Sequence, residues 1–426
     1  MALLKAYIVS DVHLNSHRYG HDALHHQRFG QGNFLSFLRS LTDEMRPEEH
    51  VILVLNGDIL DLNESWFAPL VPWDADVAQV EALVLSVLQT IVTNNEAVFH
   101  ALHHFVMQPN VELVYVFGNH DALLERFPSA QQFLREVLLK GVPEAEGRLR
   151  FCAVFEHEAL SLHVEHGHRL DAYNQEAGWH DPSLGDVVNV LVVNGFEQRV
   201  AAKMQQQGYT DSDVQAVWLH LADIGFLRPL TLFPLWLEMM PTHNMTLDAT
   251  QHEALKQLIR EALYDILQER STVQYFVEKL HVPAWALKLL AKASLSLPVI
   301  LPALSYGISK LVHRASSNAR QYEAAQKLSA KGYRLIVFGH THAPAVESLE
   351  QGGYYFNTGS WLPIIRLVSR RLPKTSLRDY LDIGDRFRKM YNCSVLRLEK
   401  DLANPQRPAE YYLQTLKTGP IFEQGS

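Results

Sequence analysis

Five short polar clusters hold the residue types that could do chemistry: Asp11-Val12-His13, Gly57-Asp58-Ile59-Leu60-Asp61, Gly118-Asn119-His120-Asp121, Glu165-His166-Gly167-His168 and Gly339-His340-Thr341-His342. Their potential ligands are Asp11, His13, Asp58, Asn119, His166, His340 and His342: two carboxylates, four imidazoles and one amide. That mixed set suits two divalent ions of intermediate hardness sharing a ligand. It suits neither an all-oxygen Mg²⁺ or Ca²⁺ cage nor a thiolate zinc site. Two such ions against two aspartates leave the site positive. A pair about 3.5–4 Å apart clamps a phosphoryl group, lowers the pKa of a bridging water and stabilises an in-line transition state. His120 adjoins Asn119 but points another way, which frees it to act as general acid for the leaving oxygen. Asp61, three residues after Asp58, is placed to hold the His120 ring in its working tautomer. A carboxylate at that position equally suits a helix cap.

Each cluster stands directly after a short run rich in β-branched and aromatic residues. The runs are Ala6–Ser10, Val51–Leu55, Val111–Phe117, Ala159–Val164 and Tyr333–Phe338, and further ones occur at Leu149–Phe155, Tyr354–Phe356 and Ser394–Leu398. Length and composition predict strands, several of them buried on both faces. Phe34, Phe37, Leu38 and Leu41 fall on one helical face, and a longer helical stretch covers about 76–107. Strand–helix–strand alternation predicts an α/β sandwich, whose strand ends bring residues distant in sequence to one crevice. Singly, Asp11 or Asp58 reads as a helix cap or turn residue and His340 or His342 as a turn histidine. Their joint placement at strand ends is what points to a site.

Residues 172–332 read almost wholly as helix, with Leu255, Leu258, Ile259, Ala262 and Ile266 forming one amphipathic stripe. The expected organisation is an α/β core over 1–171 and 333–398, a helical insertion over 172–332 and a polar surface tail over 399–426. The apolar run between Lys292 and Lys310, broken by Pro298 and Pro302, is short for a membrane span. Core packing, an acyl-binding cap and an interfacial membrane face all fit the insertion's apolar segments, with Lys288, Lys292 and Lys310 flanking the run as interfacial helices show.

The 426 residues are 47% hydrophobic and 20% charged, ordinary globular values. A net charge of -9 gives no general attraction to nucleic acid, so no stable nucleic-acid partner is expected. Two cysteines, Cys152 and Cys393, build no disulfide framework. With no signal-peptide pattern at the amino terminus, the expected location is the cytoplasm, with peripheral membrane contact through the insertion as one option.

Taken in order, Asp-x-His, Gly-Asp-x-x-Asp, Gly-Asn-His-Asp, His-Gly-His and Gly-His-Thr-His resemble the calcineurin-like metallophosphoesterase superfamily. The resemblance implies Asp11, His13 and His342 at one metal, Asn119, His166 and His340 at the other, and Asp58 between them. It implies a four-layer α/β/β/α sandwich with the helical insertion as a cap, and metal-dependent cleavage of phosphate esters. Gly339–Pro344, Asn357-Thr358-Gly359-Ser360-Trp361 and His166-Gly167-His168-Arg169 look most like the UDP-2,3-diacylglucosamine pyrophosphatase-like branch. Members of that branch cleave a nucleotide–lipid pyrophosphate and hold acyl chains with a helical cap, shorter than the insertion here. Phosphoprotein phosphatases carry Arg-Gly after the second block, where this chain has Leu62-Asn63.

The expected activity is therefore hydrolysis of a phosphodiester or pyrophosphate on a phosphorylated small-molecule or lipid-linked substrate, by metal-hydroxide attack. Phosphomonoesterase, cyclic-nucleotide phosphodiesterase and non-catalytic metal-dependent scaffold are the alternatives. Mn²⁺, Fe²⁺, Zn²⁺ and Co²⁺ all accept the ligand set. Candidate substrate contacts are His17 in the histidine-rich stretch after the first block, His168 and Arg169.

Overall fold

The structure, a computed structural model, describes residues 3–15, 24–62, 75–171, 174, 196–227, 236, 248–268, 285, 317–367 and 387–415. The chain divides into two compact units. One comprises Met1–Asp186, Ser317–Pro363 and Tyr391–Ser426, and the other Val187–Ser316 and Ile364–Met390.

The first unit begins with β1 (Leu3–Val9), α1 (Leu24–Glu44), β2 (Glu49–Asn56), α2 (Val77–Asn94), α3 (Glu96–Val106) and β3 (Val111–Val116). A short helix α4 (Leu123–Arg126), α5 (Pro128–Leu138), β4 (Leu149–Cys152), β5 (Phe155–His157) and β6 (Leu162–Val164) follow. The second unit supplies α6 (Phe196–Gln206), α7 (Asp211–Ala222) and α8 (Ala249–Gln268). The chain returns through α9 (Ser317–Ala330), β7 (Leu335–Phe338), β8 (Ala345–Ser348), β9 (Tyr354–Asn357), β10 (Gly359–Leu367), β11 (Phe387–Asp401) and β12 (Glu410–Thr415).

Two sheets result. One runs β10-β11-β1-β2-β3-β4, with β12 also on β11 and with β1 to β4 parallel; the other runs β5-β6-β7-β9-β8, with β6, β7 and β9 parallel. Alternate residues of the parallel strands, Ala6, Ile8, Ile52, Val54, Val114 and Val116, meet Leu162, Val164, Leu335, Val337 and Phe356 of the other sheet in one apolar core. This is the period-2 logic of strands buried on both faces. The opposite residues of the first sheet meet helices, as Tyr7 does against Phe37 of α1. On the far side of the second sheet, Ala325 of α9 packs with Ile336, Phe338 and Tyr355. The order helix, sheet, sheet, helix is the expected α/β/β/α sandwich.

Every apolar run read as a strand forms one, with adjustments. Leu149–Phe155 divides between the two sheets, and Ala159–Val164 opens with a 3-10 turn at Glu158–Leu160. The 76–107 helix breaks at Asn95, whose amide side chain donates to Ile91 O (2.8 Å) and to Asn15 O (3.2 Å), tying the helix end to the loop after His13. Helix α1 extends back to Leu24 and takes in His25 and His26. The polar tail contributes the edge strand β12.

In the second unit, α6, α7 and α8 bury Phe196, Val200, Val214, Val217 and Leu221 against the full stripe Leu255, Leu258, Ile259, Ala262 and Ile266. That stripe is core. The run between Lys292 and Lys310 lies outside the described residues. Among the described residues, α2 is the one helix long and apolar enough to cross a membrane, and its Val80, Val84, Leu88 and Ile91 are buried.

Candidate metal centre

Parallel strands end on the same edge, so the loops after β1, β2 and β3 are neighbours. They are laced together by Asp11 N→Gly57 O (3.1 Å), His13 N→Asp58 O (3.0 Å) and Leu62 N→His120 O (3.1 Å). The loops after β6 and β7 join through Gly339 N→His166 O (3.0 Å). Gly57 shows how tight the assembly is. A Cβ there would lie 2.5 Å from the His166 ring and 2.8 Å from Gly118 Cα, and its φ of +74° is one only glycine adopts freely.

Asp11, His13 and His342 offer ligand atoms within 4.8 Å of one another, and so do Asp58, His166 and His340. His342 Nε2 lies 3.2 Å from Asp11 Oδ1 and 3.3 Å from His13 Nε2; His166 Nε2 lies 3.0 Å from Asp58 Oδ2. Asn119 is buried in the loop that follows β3. Asp58 accepts the His120 amide on Oδ1 (2.8 Å), leaving Oδ2 toward His166. Asp61 joins a third group, with Oδ1 2.9 Å from His120 Nδ1 and Oδ2 3.1 Å from His13 Nδ1. Of the seven non-glycine residues with positive φ among the described residues, five are Asp11, His13, Asp58, His340 and His342. Left-handed backbone costs a non-glycine residue about 1 kcal/mol or more, and its concentration at a polar cluster marks a functional site.

The sequence pattern of the calcineurin-like phosphoesterases matches residues 4–344. The chain belongs to that family. Membership makes it a metal-dependent phosphoester hydrolase. Comparison with curated proteins and with solved structures returns no significant match.

The phosphoesterase's own side chains fit divalent ions. Asp11 Oδ1 and His166 Nε2 are buried without a hydrogen bond among the described residues, yet both face other ligands. Buried polar atoms are nearly always paired, so atoms converging in this way call for a shared cation. Charge is already organised around it. Burial would raise the Asp11 carboxyl, but His342 and His166 bring it down to about 2. Burial likewise opposes ionisation of Asp58, and His166 and His120 hold it well below the usual carboxylate range. For His166, burial works against the charged ring, and Asp58 and Asp11 outweigh it and raise the pKa to about 9.

His168 is also buried, with its ring 5.6 Å from His166 and 6.5 Å from His340, and burial followed by those two rings holds its pKa well below the usual value. Arg169 turns to the surface and pairs with Glu125 at 2.8 Å. His17 lies outside the described residues.

Three supporting groups escaped the sequence reading. Asp121 accepts Gly118 N–H (2.6 Å) and Ile59 N–H (3.0 Å) as well as the Tyr115 hydroxyl (2.6 Å), and so fixes the second and third loops together. Gln321 of α9 donates to Gly339 O (3.1 Å), which also accepts from Asn357 Nδ2 (2.7 Å). Asp171 lies 3.1 Å from His340 Nε2. Asp121 stood in plain view inside Gly-Asn-His-Asp; Gln321 and Asp171 carry no local signal, because their partners are distant in sequence.

Proposed function

We propose that this phosphoesterase hydrolyses a phosphodiester or pyrophosphate joined to a nucleotide or lipid, using two divalent ions held by Asp11, His13, His342, Asn119, His166 and His340, with Asp58 between them. When bound, the ions supply Lewis-acid polarisation of the phosphoryl group and activation of water. The observation that carries the reading is the double use of Asp61. One oxygen fixes His13 through Nδ1 and the other fixes His120 through Nδ1, and His120 Nε2 is the atom that meets the leaving oxygen in this reading. The His13 and His120 rings stand edge to face with centroids 4.7 Å apart, which places the proton donor next to a metal ligand.

The preference for a diester or pyrophosphate is supported by the likeness to the UDP-2,3-diacylglucosamine pyrophosphatase-like branch. The residues of that likeness work locally: Trp361 N donates to Asp11 O (3.0 Å), and Asn357 Nδ2 reaches Thr341 Oγ1 (3.0 Å) as well as Gly339 O. His168, with its buried Nδ1 without a hydrogen bond among the described residues, is the substrate-facing imidazole in this reading, and residues 172–332 select the group carried by the phosphate. A lipid-linked substrate accords with the apolar run and its flanking lysines, and with work at the cytoplasmic surface of a membrane.

The test uses Mn²⁺-loaded protein on bis-p-nitrophenyl phosphate, p-nitrophenyl phosphate and a dialkyl phosphodiester, whose cleavage has to expel an alkoxide. The diester should be preferred over the monoester. His120→Ala should slow alkoxide departure by about 10²–10⁴-fold and p-nitrophenolate departure far less, since p-nitrophenolate leaves without a proton. Preference for the monoester, or equal losses for both leaving groups, would overturn this reading.

A further inference from the structure

Each of three histidine ligands has one ring nitrogen held by an acceptor of the chain, and the held nitrogen differs. His13 is held at Nδ1 by Asp61 (3.1 Å) and His166 at Nδ1 by the Asn56 carbonyl (2.8 Å), leaving Nε2 of each for the centre. His340 is held at the other nitrogen: Asp171 Oδ2 lies 3.1 Å from its Nε2. A neutral imidazole that donates through one nitrogen presents its lone pair at the other. We infer that Asp171 is a positioning residue that fixes the Nε2–H tautomer of His340 and turns Nδ1 toward the ion shared with Asp58, Asn119 and His166. The inference rests on the two-ion reading above.

The surroundings of Asp171 are built for this. It follows the 3-10 turn His168–Leu170 that starts two residues after His166, so one short segment supplies a ligand and the orienting group of another. Its backbone N–H donates to His168 O (2.9 Å), and Asn174 Nδ2 donates to the same Oδ2 (3.1 Å) that meets His340. The opposite side of His340 is fixed independently, its backbone N–H donating to Asp11 Oδ2 (3.1 Å) with φ at +69°. With backbone and Nε2 both set, the ring has little freedom left. Groups that orient a metal-bound histidine in this way typically account for about 10–100-fold in metal affinity.

The test is equilibrium dialysis of the full chain against graded free Mn²⁺, with bound Mn²⁺ counted for the wild type, Asp171→Ala, Asp171→Asn and Asn174→Ala. In Asp171→Ala one of the two dissociation constants should rise about 10–100-fold while the other stays put. Asp171→Asn keeps an acceptor oxygen and should recover most of that loss. Asn174→Ala keeps the carboxylate but removes Nδ2, which donates to Asp171 Oδ2 and also lies 3.4 Å from His340 Nε2, and should shift the same ion by a smaller factor, a reading that stands even where Asp171→Ala fails to fold. Unchanged affinities in both Asp171→Ala and Asn174→Ala would overturn the inference with the two-ion centre intact. Equal losses of both ions in the alanine and asparagine variants would show a merely structural role and overturn it too. A wild type that binds no Mn²⁺ would overturn the two-ion reading and this inference with it.

Discussion

Asp121 shows how much of the site is held by a residue that touches no candidate ligand side chain with a hydrogen bond of its own. Its fully buried carboxylate gathers Gly118 N–H, Ile59 N–H and the Tyr115 hydroxyl, and burial together with the Asp58 charge raises its pKa to about 6. Asp121→Ala leaves three donors without their acceptor, at about 1–3 kcal/mol for each that stays dry. Tyr115→Phe removes a single donor and should cost about 1 kcal/mol. Urea unfolding of the metal-free protein should therefore rank Asp121→Ala as the costlier by about 2 kcal/mol or more; equal costs would contradict this role. At this scale the sequence was informative where chemistry and spacing coincide. The candidates Asp11, His13, Asp58, His166, His340 and His342 and the Asp61–His120 pair were legible from five blocks, and the structure groups their side chains in three clusters. The second bond of Asp61, to His13, was not legible, because it depends on how two loops cross after folding.

Among the elements, the parallel strands set the geometry, and the glycines at their ends let the loops touch. Gly57→Ala should combine the left-handed backbone penalty with a Cβ pressed on the His166 ring, roughly 2–4 kcal/mol in all. Gly141 has φ +81° with nothing within 4 Å of a built Cβ, so Gly141→Ala should cost the backbone term alone, about 1–2 kcal/mol. Urea midpoints for the two variants measure the difference, and a Gly57→Ala no worse than Gly141→Ala would contradict the close approach. Strands buried on both faces announced themselves as continuous apolar runs. Those missed were β10, which contains Pro363, β8, which is largely exposed, and β12 in the polar tail. β8 and β12 lack the pattern a buried strand writes into its sequence, and in β10 Pro363 interrupts the buried apolar run Trp361–Ile365. The break at Asn95 was hidden because apolar periodicity continues through both helices it separates.

For the whole molecule, the family match across 4–344 spans both the α/β core and the helical segment inserted in it. The stripe on α8 that could have served lipid is instead the second unit's own core. Any lipid contact by the insertion would therefore have to come from other residues. Overall charge of -9 leaves the positive character of the site to the ions that the carboxylates and imidazoles would hold. The central claim is that the clusters around Asp11 and around His166, joined by Asp58, form one two-ion centre on which phosphoester hydrolysis depends. The most direct test is elemental analysis of Mn²⁺-dialysed wild type and Asp58→Asn, with turnover of bis-p-nitrophenyl phosphate measured on the same samples. The account predicts two Mn²⁺ per wild-type chain, turnover lost on chelation and restored by Mn²⁺, and in Asp58→Asn fewer than two ions and no turnover. Full turnover after chelation, or an Asp58→Asn that keeps both ions and its activity, would contradict it.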